Sequence, residues 1–154
     1  MCAGAGCGFS LSAKNKGQIA AVEAVEQMLC ETELMLRYNV VTVGELVGRL
    51  KNLSQTRALK FLDVDEKSNE IQGEIIRLLK QNRDRLSDDQ VFRIVSFFEQ
   101  LGQTDLEGQI MLTQGCRSYF QTESKTLKSN SESKCRLYNS LGILGGALIA
   151  VMLV

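Results

Sequence analysis

Five cysteines, Cys2, Cys7, Cys30, Cys116 and Cys135, are the residues whose type alone suggests covalent chemistry or metal binding, and their spacing argues against both. Their number is odd, they are spread along the chain and no C-x-x-C pair occurs, so neither a disulfide framework nor a zinc site is indicated. Reduced thiols are the expectation. The chain has no histidine, which removes the commonest general base, the commonest metal ligand and the usual activator of a cysteine nucleophile. We therefore expect no catalytic residue, no metal and no cofactor. What remains is a cation in an unusual place: Arg93 inside "VFRIVSFFEQLG", residues 91–102. A guanidinium is a planar fork that suits a carboxylate, so recognition of an acidic group is the chemistry it offers. The ordinary alternatives are snorkelling to solvent or a structural ion pair with Asp63 or Asp65.

The elements that must position Arg93 are helical. Residues 16–38 place Ile19, Val22, Val25, Leu29 and Leu36 on one face, with Glu23, Glu26, Glu31 and Glu33 mostly elsewhere. Residues 43–53 repeat the pattern with Val43, Leu46, Leu50 and Leu53, preceded by Thr42 as N-cap. Residues 69–86 carry a narrower stripe of Ile71, Ile75, Leu78 and Leu79. Ser87 followed by Gln90 reads as a capping box with two aspartates between, so the next helix starts near Asp88. Its apolar residues Val91, Phe92, Ile94, Val95, Phe97, Phe98 and Leu101 cover the whole circumference, which predicts a central helix wrapped by the others.

Equal numbers of basic and acidic residues, 18 each, leave no global field to draw the chain onto nucleic acid. At 154 residues with 44% hydrophobic content, one globular domain is expected. The sequence divides into a flexible arm at 1–15, a helical bundle at 16–121, a polar Ser-rich linker at 122–136 and an apolar segment at 137–154. From Leu141 onward no residue is charged, and Lys125, Lys128, Lys134 and Arg136 precede it, which reads as a membrane anchor with a basic flank. Gly142, Gly146 and Ala150 at four-residue steps form a small-residue face within it.

The order of elements, and "RIVSFFEQLG" in particular, resembles the Bcl-2 family of apoptosis regulators. That family's first homology motif runs N-W-G-R followed by a stretch like I-V-A-F-F-E-F-G, which Arg93, Ile94, Val95, Ser96, Phe97, Phe98 and Glu99 match. Val40, Gly44 and Glu45 are similar to the third motif, L-x-x-x-G-D. Gln90, Val91 and Phe92 depart from the family's Asn, Trp and Gly, and the second motif is missing. The resemblance implies an all-α, Bcl-2-like bundle, of a divergent and viral kind, with a groove for the amphipathic death-motif helix of a pro-apoptotic partner. It places Arg93 opposite the ligand's aspartate. The implied groove walls are Val43, Leu46, Val47, Leu50, Ile75, Leu79, Phe92, Val95 and Ser96.

The function so implied is inhibition of apoptosis by sequestering such helices at the mitochondrial outer membrane, or another intracellular membrane, of a host cell. A homodimer that covers the empty groove is a further partner expectation. Two alternatives stand beside it: a membrane-permeabilising effector of the same fold, and an unrelated tail-anchored helical adaptor in which Arg93 is structural.

Overall fold

The structure is a computed structural model that describes residues 3–38, 42–83 and 85–152, with side chains described for 15–38, 42–83, 85–133 and Leu137. Five helices follow in order: α1 (Ala3–Tyr38), α2 (Val43–Lys51), α3 (Ile71–Gln81), α4 (Asp88–Gln100) and α5 (Leu106–Met152). A 3-10 turn, Lys60–Leu62, lies between α2 and α3, and among the described residues there is no strand. The all-α class is as the periodicity predicts.

The long helices α1 and α5 make the most extensive helix pairing, and they run antiparallel. Glu33 meets Arg117 at 3.0 Å, while Glu23, further back on α1, meets Lys128, further along α5. Val22, Val25, Leu29 and Leu36 turn inward as their spacing predicts, joined by Ala21, Ala24 and Met28. Helix α2 packs on α1, α4 on α5, and α3 on α4.

Helix α2 begins at Thr42, whose hydroxyl accepts from the Glu45 N–H while the Glu45 carboxylate accepts from the Thr42 N–H. This reciprocal pair satisfies two of the N–H groups that a helix start leaves open. Gly44 and Gly48 then let the 63–70 loop press on α2. A Cβ at Gly48 would stand 2.6 Å from the Glu66 carboxylate, and one at Gly44 would stand 3.0 Å from the Glu66 carbonyl oxygen. Helix α3 runs back along α4, and its Gln72 side chain donates to the Phe98 carbonyl at 3.0 Å and to that of Leu101. Those carbonyls at the end of α4 have no partner within their own helix.

Helix α4 starts at Asp88 behind the Ser87–Gln90 capping box, as predicted. It is not wrapped on all sides. Val91, Ile94, Val95, Phe97 and Phe98 are buried, but Phe92, Arg93, Glu99 and Gln100 face solvent. The centre of the molecule is shared among elements: Phe98 meets Phe97 and Phe61 edge to face, with centroids 5.3 and 6.3 Å away, and Phe120, Met28 and Leu29 join them. Perpendicular rings of this kind add to simple area burial.

Two boundaries differ from the sequence reading. Helix α1 extends back to Ala3 through the expected arm, and α5 passes unbroken through the expected linker. The stretch 116–141 holds neither Gly nor Pro, and it includes Gln121, Glu123, Lys125, Lys128, Glu132 and Lys134, residue types that favour helix. Its hydroxyls are accommodated locally: Thr122 donates to the Ser118 carbonyl at 3.0 Å and Thr126 to that of Thr122 at 2.9 Å. Buried Ser124 and half-buried Leu127 keep this part of α5 against the bundle.

Phe98→Ala empties a fully buried site and is expected to destabilise the fold by about 3–5 kcal/mol. Phe92→Ala, at a side chain 70% exposed, is expected to change stability by less than about 0.5 kcal/mol. Urea unfolding of both variants measures the difference, which separates the two faces of α4.

Candidate functional site

Arg93 lies on the solvent face of α4, and its guanidinium carbon stands 4.8 Å from the centroid of the Tyr119 ring on α5. A cation over a ring face is held by the ring's quadrupole, at about 0.5–1 kcal/mol when exposed. Neither expected acid reaches it. Asp63 pairs with Lys51 at 2.8 Å, and Asp65 accepts from the Lys67 N–H in its own turn. Among the described residues Arg93 makes no ion pair, so the charge is accommodated by exposure and by stacking.

The residues expected around it do not line a groove. Leu46, Val47, Leu50, Ile75, Leu79 and Val95 are buried in the common core that α2, α3 and α4 share with α1 and α5. Val43 is partly buried at the rim, Ser96 is half-buried on α4, and Phe92 stands out in solvent. The apolar spacing that suggested pockets is the spacing of core contacts. Leu141, Gly142, Gly146 and Ala150 fall where side chains lie outside the described residues. Among the described residues no helix is long and apolar enough to cross a membrane.

Cys116, next to this surface, is buried, and burial pushes its thiol up to about 11. It is therefore protonated at neutral pH and a poor nucleophile. Burial also raises the Tyr119 hydroxyl, with Glu123 and Asp89 adding to the effect. Among the described residues no cluster of Cys, Asp or Glu is arranged to hold a metal.

The strongest polar cluster was missed by the sequence reading. Glu33, expected mostly off the buried face of α1, is 8% exposed between α1 and α5. Its carboxylate accepts from Gln114 at 2.8 Å, from both Nε and Nη2 of Arg37 and from Arg117 at 3.0 Å. The Gln114 hydrogen bond, followed by those of Arg37 and Arg117, outweighs burial and holds the carboxyl below its ordinary value of 4.5. A signal was present: Glu33 comes four residues after Leu29 and three before Leu36, in line with the buried stripe.

Because the folded state holds Glu33 below its ordinary value, the stability it contributes is present above 4.5 and is lost as pH falls through the folded value. Glu33→Gln is expected to lower stability at neutral pH by about 1–2 kcal/mol, solvent at the two arginines weakening the pairs. Thermal unfolding from pH 7 down to pH 3 is expected to show the difference narrowing below about pH 4.5, as the native carboxyl protonates.

The whole chain, residues 1–154, matches the family described as Stage III sporulation protein AB. Searches of curated proteins and of solved structures returned no match. The family match overturns the resemblance to Bcl-2 proteins and what it implied: a viral apoptosis inhibitor, pro-apoptotic helices as partners, and a location on the mitochondrial outer membrane or another host membrane. The burial of Leu46, Val47, Leu50, Ile75, Leu79 and Val95 in the core agrees with that correction. The chain belongs to the Stage III sporulation protein AB family, a family of bacterial sporulation proteins.

Proposed function

We propose that this protein is a tail-anchored helical adaptor of bacterial sporulation, a binding component that acts without catalysing a reaction. Family membership supplies the process. The observation that carries the adaptor reading is the continuity of α5, which runs from the packed core at Cys116 and Phe120 into the apolar segment 137–152 without a break. In this reading the segment lies in a membrane and α5 holds the bundle at a set distance from it. The chain's lack of histidine and the protonated state of Cys116 agree with a role in binding.

Complementation in a spore-forming bacterium deleted for its own family member tests this. The full chain is expected to restore spore formation and to sediment with membranes. A chain truncated before Leu137 is expected to leave the membrane fraction and to lower spore yield sharply. Normal sporulation by the truncated chain, or its retention on membranes, would overturn the reading.

A further inference from the structure

Helices α1 and α5 leave the bundle at the same end, and their pairing sets which residues share a level there. From the Glu23–Lys128 pair, seven residues back along α1 is Lys16 and seven onward along α5 is Cys135. One-for-one antiparallel counting thus sets Lys14 and Lys16 at the level of Lys134 and Arg136. Beyond that level, residues 1–13 and 137–154 contain no Asp, Glu, Lys or Arg. The basic residues mark where charge stops on both helices.

The fold brings in a third segment that sequence order does not. Arg85, in the turn between α3 and α4, has φ 68°, a left-handed backbone that non-glycine residues adopt uncommonly. Its guanidinium lies against Gly17 of α1, where a Cβ would collide with it. Arg85 and Lys16 are both exposed, and among the described residues neither makes an ion pair. Asp88 is taken by Arg83. Of the described side chains at this end, Lys16, Arg83 and Arg85 stand against Asp88 and Asp89, an excess of positive charge, and the sequence of α5 continues there with Lys134 and Arg136.

We propose that this end of the bundle, with Lys16 and Arg85 as contacts, is a docking surface for the anionic headgroups of a phospholipid bilayer. The inference rests on the membrane reading of the C-terminal segment and deepens it by orienting the bundle, with the α3–α4 turn toward the bilayer. Cations held within a Debye length of an anionic surface are attracted to it, and salt weakens that attraction. A left-handed Arg85 lying over Gly17 puts a charge from the bundle itself at the level where the two long helices lose theirs.

Flotation of the full chain with phosphatidylcholine vesicles, and with vesicles of equal parts phosphatidylcholine and phosphatidylglycerol, tests it at low and high salt. At low salt the chain is expected to bind the anionic vesicles about tenfold or more better than the zwitterionic ones, with the advantage shrinking at high salt. The Lys16→Gln/Arg85→Gly double variant, whose glycine suits the left-handed backbone, is expected to lose several-fold of that advantage while binding zwitterionic vesicles as before. Equal binding of the native chain to both vesicles, or an undiminished advantage in a folded double variant, would overturn the headgroup surface and leave the membrane reading standing. Failure of the native chain to float with either vesicle would overturn both.

Discussion

The antiparallel pairing of α1 with α5 is the constraint on which the rest of the structure depends. The short helices α2, α3 and α4 are 9, 11 and 13 residues long, near or below the length at which an isolated helix holds in water. Each persists because it buries one stripe against the long pair or against a neighbour so held. The pairing is fixed in register at Glu33, whose carboxylate has partners on both helices. A slide of α5 by one turn would carry Gln114 and Arg117 about 5 Å away and leave a nearly buried charge short of donors. Apolar packing alone tolerates such slides better than a carboxylate with directional partners does.

The parts of the fold legible in the sequence are those governed by local rules. Thr42 and Ser87 announce helix starts because a hydroxyl three residues before Glu or Gln has one good use there. The stripe Val22, Val25, Leu29 and Leu36 announces the buried face of α1 because 3.6-residue periodicity leaves little else for it to be. The extent of α5 through 122–136 was not legible from apolar periodicity, since a helix that leaves a bundle has no second face to bury. Its continuity comes from propensity and from the absence of Gly and Pro, features that composition hides behind the many serines. The proposed headgroup surface was less legible still. Arg85 and Gly17 are far apart in sequence, and each is unremarked by its neighbours; only the turn geometry brings them together.

The match around Arg93 misled for a physical reason. In "RIVSFFEQLG" the positions that agree with the apoptosis regulators are mostly Ile94, Val95, Phe97 and Phe98, the residues that any helix with one face in an aromatic core supplies. Of the remaining matched positions, Ser96 is half-buried, and Arg93 and Glu99 lie on the solvent face, where packing exerts little selection on type. A short local match of this composition therefore reports a burial pattern. A match over all 154 positions also reports the order and lengths of the elements, which no single helix can mimic.

An unbroken α5 also has a mechanical consequence. At 1.5 Å per residue its 47 residues span about 70 Å, of which roughly 40 Å lies beyond Ser124, the last buried position among its described side chains. A flexible linker of the same composition would let the bundle sample all orientations, at an entropic cost to any partner that required one of them. A continuous helix braced by α1 along part of its length removes much of that freedom before a partner arrives. The exposed side of α4, with Phe92 and the stacked Arg93–Tyr119 pair, is then held in a nearly fixed orientation relative to α5. For an adaptor that is the useful property, because preorganisation raises the effective concentration of one partner near another without any stronger contact.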